Sequence, residues 1–143
     1  MTDDSAFPKT LVGEARSEGK FGMEDVACVI MNRAAIARRY VEAHGRNHPL
    51  FGNGTPASAC MMPMQFSCWN ENDPNRDYLE NLGEDDAIFN EASDIAQEAT
   101  DGNLEDRTSG ATHYKVIGTH ASWAGGKTPC FTEGHHEFYN DIA

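Results

Sequence analysis

The residues able to do chemistry begin with Glu14. Phe7, Leu11, Glu14, Ala15 and Glu18 fall at i, i+4, i+7, i+8 and i+11. That spacing is one face of a helix, so two carboxylates sit in an otherwise apolar stripe. A carboxyl group held against apolar side chains is poorly solvated when charged and can stay a proton donor near neutral pH. Glu14 is placed to act as such a general acid. The plainer alternatives are a surface glutamate at the helix edge, or one paired with an arginine such as Arg33. Glu18, one turn later, invites a two-carboxylate reading. Residues at i and i+4 lie side by side, however, about 5 to 6 Å apart at Cβ, and cannot easily approach opposite faces of one sugar. Glu18 is therefore expected to support or tune Glu14.

Three other groups deserve weighing. His113, His120, His135 and His136 cluster in the last third, with the cysteines and Asp141 as further candidate ligands. No His-Glu-x-x-His or similar spacing is present, so a zinc site would have to be assembled wholly by the fold. No metal or other cofactor is expected. The segment from Met64 to Asn70 is rich in aromatic and amide side chains, the groups that hold sugars by stacking and hydrogen bonding. Phe66 and Trp69, taken alone, read as core aromatics. The four cysteines form no Cys-x-x-Cys pair and are expected to be reduced, structural thiols.

Helices must position these groups. The first is expected from a cap at Ser5 to about Glu18, stopped by Gly19, with Pro8 tolerated in the first turn. Arg16 falls on its opposite side. A second spans about Gly22 to Arg39, with Met23, Val26, Ala27, Ile30, Ala34 and Ala37 on its buried face. A third runs from about Asp85 to Thr100, with Ile88, Ala92, Ile95, Ala96 and Ala99 on one stripe. Loops are expected at 44–58 and 70–84, which are dense in Gly, Pro, Asn and Asp. Extended segments are expected at 112–117 and 137–139. The 143 residues suit one domain, 1–143, mainly α with a small β element.

Composition removes several classes of function. A formal charge of −12 with only 11 Lys and Arg argues against nucleic acid. The longest apolar run, Val26 to Met31, is far short of the about 20 residues that cross a bilayer, so no membrane insertion is expected. The amino terminus carries neither a basic leader nor an apolar segment, so the expectation is synthesis in the cytoplasm without a signal peptide. A monomer is expected.

Gly13-Glu14-Ala15-Arg16, the stretch Val29-Ile30-Met31-Asn32-Arg33, then Gln65-Phe66-Ser67, Gly110-Ala111-Thr112-His113-Tyr114 and Gly134-His135-His136-Glu137-Phe138 occur in that order. Together they resemble the cell wall hydrolase family of spore-cortex-lytic (SleB-like) enzymes, over nearly the whole chain. Compact members without signal peptides look like bacteriophage endolysins, which act on the wall after release in an infected host. The chain departs from the family pattern at Val12, where many members have an aromatic residue, and at Glu133, which replaces an apolar one.

The resemblance implies a lysozyme-like fold related to lytic transglycosylases, with Glu14 as catalytic acid. Gln65 would match the glutamine of a Met-Gln motif and Tyr114 a tyrosine lining the cleft near the acid. Phe66, Ser67, His113 and Glu18 complete the expected substrate-binding set, and the expected partner is the peptidoglycan glycan strand. The expected activity is cleavage between N-acetylmuramic acid and N-acetylglucosamine, giving 1,6-anhydro products. The rivals are a zinc amidase using the C-terminal histidines, and an inactive wall-binding or virion structural protein.

Overall fold

The computed structural model describes residues 5–63 and 65–142; Met64 of the aromatic and amide segment lies outside the described residues. The helices are α1 (Ala6–Ala15), α2 (Gly19–His44), α3 (Pro56–Met61), α4 (Asn75–Glu80) and α5 (Ala87–Thr100). Three strands follow or interleave with short turns: β1 (His113–Val116), β2 (Phe131–Glu133) and β3 (His136–Tyr139). They form an antiparallel sheet in the order β1-β3-β2, with Tyr114 and Phe131 both opposite Phe138. No helix among the described residues is long and apolar enough to cross a membrane.

The first helix is shorter and more deeply buried than its periodicity suggests. Ser5 has helical backbone angles (φ −70°, ψ −16°) instead of the extended backbone of a capping residue. From Ala6 to Ala15 every residue except Gly13 and Glu14 is buried, since α2, α3, α4 and α5 all pack against this helix. Even its polar residues are inside. Lys9 is 6% exposed and its Nζ donates to the Glu80 carbonyl, while the Thr10 hydroxyl donates to the Ala6 carbonyl and accepts from Trp69 Nε1 at 2.7 Å. Buried polar groups of this kind hold their places only because each is hydrogen-bonded.

The helix does not continue to Glu18. Ala15 leaves helical angles (φ −143°), a single 3₁₀ turn covers Arg16–Glu18, and Gly19, at φ +76°, lets the chain reverse into α2. Gly19 therefore ends the turn as expected, but α2 starts at once and runs on to His44, five residues past the expected end. The expected buried face of α2 is present in full, from Met23 to Ala37. In α5, Asp86 caps the helix by accepting from Phe89 N at 2.9 Å, and the buried stripe starts at Ala92; Ile88, expected on it, is 42% exposed.

Helix α3 begins inside the first expected loop and α4 lies within the second. Thr55 accepts from Ser58 N at 3.2 Å and Pro56 occupies the first helical position of α3, a cap-and-proline start. In α4 the fully buried Leu79 supplies the anchor. Leu79 and Cys68 come so close to α1 that a Cβ on Gly13 would lie 2.7 Å from Leu79 Cδ1 and 2.8 Å from Cys68 Sγ.

Two polar contacts fasten the sheet to α2. Asp25, 1% exposed, takes the Arg107 guanidinium at 3.0 Å, and Arg107 also reaches Glu133 of β2 at 3.6 Å. Burial pushes the Asp25 carboxyl up to about 6 despite the opposing charge of Arg107. Asn32 Nδ2 donates to Asp106 at 3.0 Å and to the Ala111 carbonyl at 2.8 Å, holding the approach to β1.

Gly13→Ala is expected to destabilise the protein by about 1 to 3 kcal/mol, the usual cost of overpacking. Urea unfolding measures it; an unchanged midpoint would mean that α1 and the Cys68 turn are not in close contact.

Candidate active site

Glu14 is the point at which the buried helix α1 opens to solvent. Its Oε1 accepts a hydrogen bond of 2.5 Å from the Tyr114 hydroxyl, joining residues a hundred positions apart. Tyr114 stands on β1 with its ring against His136 and Phe138. Burial, and then the charge and hydrogen bond of Glu14, raise the phenol well above its ordinary value, so it remains a donor. The Cys68 thiol, also buried beside Glu14, is raised first by burial and then by the same carboxylate.

An open cleft of about 480 Å³ begins at this pair and is lined by Arg33, Gln65, Ser67, His113 and Trp123 as well. Glu14 is the one carboxylate among its described lining residues. Five of the residues singled out in the sequence, Glu14, Gln65, Ser67, His113 and Tyr114, thus share one cleft. Phe66 does not line it. The backbone at Phe66 is extended (φ −128°, ψ 112°), so neighbours alternate sides; Gln65 and Ser67 face the cleft and Phe66 enters the core at 2% exposure.

Glu18 is also elsewhere. Because the helix breaks at Ala15, Glu18 is no longer one turn above Glu14 on a common face. Its carboxylate instead accepts from the His135 backbone N–H at 2.7 Å, pairs with His135 Nδ1 at 3.1 Å and faces His136 Nδ1 at 3.8 Å. Burial pushes this carboxyl up, but the bonds from His135 outweigh that and leave it below its ordinary value. Glu18 is a latch on the turn between β2 and β3.

Arg33, weighed in the sequence only as a possible ion-pair partner of Glu14, is also a wall of the cleft. It is 5% exposed; its Nε donates to the Thr112 carbonyl at 2.7 Å and Nη1 to Gln65 Oε1 at 3.4 Å, while its guanidinium lies over the rings of Phe51 and Phe66 at 5.1 and 5.0 Å. Its hydrogen bonds go to these groups and not to Glu14. The signal was present: Arg33 falls at i+7 from Val26 on the apolar stripe of α2, the same pattern that drew attention to Glu14. Trp123, in a 3₁₀ turn (Ser122–Ala124), had no periodic signal.

His113 sits between Trp123, 5.0 Å away, and Phe51, 6.3 Å away, with Nδ1 2.9 Å from Thr112 Oγ1. Burial, helped by the charge of Arg33, pulls it down to about 4, so the ring is neutral at pH 7. Among the described residues no group of three or more His, Cys, Asp and Glu side chains is arranged to hold a metal ion. The four cysteines are free thiols, three of them buried.

The fold is lysozyme-like. The chain is similar to the catalytic domain of the germination-specific lytic transglycosylase SleB from Bacillus anthracis, with a TM-score of 0.65 and 23% identity over 94% of this chain and 90% of that one. The catalytic domain of the Bacillus cereus SleB protein gives the same score and identity, covering 94% of this chain and 86% of that one. The comparison with curated proteins gives no match. The sequence profile of the cell wall hydrolase family matches residues 17–139, and the chain belongs to that family. The match begins just downstream of Glu14, so the case for Glu14 rests on its geometry.

The neutral state of His113 has a measurable consequence. Its folded value of about 4 lies below the ordinary 6.5, so its contribution to stability is present above pH 6.5 and is lost as pH falls toward 4. His113→Asn is expected to lose less stability than the wild type between pH 7 and pH 4.5, read as urea midpoints. An equal loss in both proteins would show that His113 protonates freely in the fold.

Proposed function

We propose that the protein cleaves the glycan strand of peptidoglycan between N-acetylmuramic acid and N-acetylglucosamine as a lytic transglycosylase, with Glu14 acting first as acid and then as base. The observation that carries this reading is the Tyr114 hydroxyl bound at 2.5 Å to a carboxyl group that opens into a cleft with no second carboxylate among its described lining residues. Membership of the cell wall hydrolase family supports the substrate class.

In this mechanism Glu14 protonates the glycosidic oxygen as the C1–O bond of muramic acid breaks. Tyr114 occupies one carboxyl oxygen and leaves the other for the substrate. The carboxylate so formed is steadied by the Tyr114 O–H and by the positive charge of Arg33. The electron-poor C1 takes electrons from the oxygen of the sugar's own N-acetyl group, as in substrate-assisted glycosidases. Glu14 then removes the proton from the 6-hydroxyl, O6 displaces the acetamido oxygen from C1, and the ring closes as a 1,6-anhydro sugar. No water is consumed. Gln65, Ser67 and the rings of His113 and Trp123 would orient the sugars by hydrogen bonding and stacking.

The amidase reading needs zinc gathered by the C-terminal histidines. In the fold His135 is committed to Glu18 and His113 lies in the wall of the cleft, an arrangement that favours the carboxylic acid mechanism.

Glu14→Gln keeps the side-chain volume but removes the transferable proton, and is expected to lower the rate of peptidoglycan clearing by at least about 10²-fold with an unchanged thermal melt. A folded variant that clears peptidoglycan near the wild-type rate would remove Glu14 from the mechanism. A wild-type protein that binds the wall without cutting it would favour the non-catalytic alternative.

A further inference from the structure

A second, smaller cavity of about 270 Å³ adjoins the cleft, and Leu50, His113 and Ile142 line both. Ile36 and Phe51 add apolar surface to it. Several polar atoms in its wall are already engaged with the protein. His48 Nδ1 accepts from the backbone N–H of Leu50 at 3.0 Å and of Phe51 at 3.1 Å. Thr112 Oγ1 is paired with His113 Nδ1, and Asn140 Nδ2 donates to the Ser109 carbonyl at 2.9 Å. Burial holds both His48 and His113 below their ordinary values, so neither ring presents a charge at neutral pH.

A sugar placed here would bury several hydroxyls, at a cost for each one left unpaired, whereas the single amide of a short side branch needs fewer partners. The volume also falls below the about 300 to 1,000 Å³ that encloses a drug-sized ligand, so it suits a side branch of the substrate. Muramic acid carries such a branch: a lactyl ether whose carbonyl is joined to the first alanine of the stem peptide, with a methyl group on each unit.

We propose that this side pocket receives the lactyl–alanyl start of the stem peptide and makes the enzyme selective for glycan strands that still bear their peptides. The proposal rests on the reading of the cleft as a glycan-cleaving site.

The test compares kcat/KM of the purified protein on intact peptidoglycan strands and on strands stripped of stem peptides by an amidase. Burial of two methyl groups corresponds to about tenfold faster cleavage of the intact strands. Ile36→Trp, which narrows the pocket away from Glu14, is expected to bring the intact rate down to the stripped rate and leave the stripped rate unchanged. Equal wild-type rates on the two substrates would overturn the proposal without recourse to any variant. A folded Ile36→Trp protein that is slowed alike on both would also overturn it, by making the pocket a sugar subsite. Failure of the wild type to cut either substrate would instead overturn the reading of the cleft itself, so the two failures are distinguishable.

Discussion

A buried guanidinium organises the cleft. Taking a charge out of water is expensive, and the fold tolerates Arg33 at 5% exposure because hydrogen bonds and aromatic faces surround it. Those partners come from three parts of the chain: the Thr112 carbonyl before β1, the ring of Phe51, and the amide of Gln65 with the ring of Phe66 beside it. Satisfying one cation therefore fixes three segments relative to α2. Tyr114 is two residues beyond Thr112, so the same constraint delivers its hydroxyl to Glu14.

Glu14, the proposed acid, is held from the other side. Helix α1 is enclosed by four other helices, and Gly13 lets the Cys68 turn and Leu79 close on it at distances that a side chain would forbid. The site thus lies where a helical core meets a small sheet, and its two principal groups come from opposite sides of that seam. Fastenings farther out, Asp25 with Arg107 and Glu133, Asn32 with Asp106, and Glu18 with His135, keep the sheet from shifting against the helices. In the proposed mechanism stability and activity are coupled through this geometry, since a movement that separates β1 from α1 removes the donor from the carboxyl group.

Periodicity made the helical core readable before any coordinates. The buried face of α2 and the Ala92 to Ala99 stripe of α5 follow a 3.6-residue repeat that tertiary packing reinforces. The same repeat misled at Glu18, because backbone angles at Ala15 and Gly19 interrupt a pattern that the side chains alone would continue. Short elements carry too few residues for a period: α3 and α4 were concealed in turn-rich sequence, and the three residues of β2 had no pattern of their own. Of the cleft, Glu14 was legible as a charge in an apolar stripe, Gln65 and Ser67 as members of an aromatic and amide segment and His113 as one of a group of histidines, whereas Tyr114 was legible only through ordered motifs. Arg33 obeyed the rule used for Glu14 but was weighed only as a partner for it. Trp123 and Leu50 sit in irregular segments whose placement is set by distant contacts, which no local pattern encodes.

The most direct test of one acid acting with the substrate's own groups is the chemistry of the products. Mass spectrometry of fragments released from purified peptidoglycan should show muropeptides ending in 1,6-anhydro muramic acid, lighter by one water than hydrolytic products. Free stem peptides together with intact glycan chains would contradict the account, because the bond cut would then lie outside the reach of the mechanism built on Glu14.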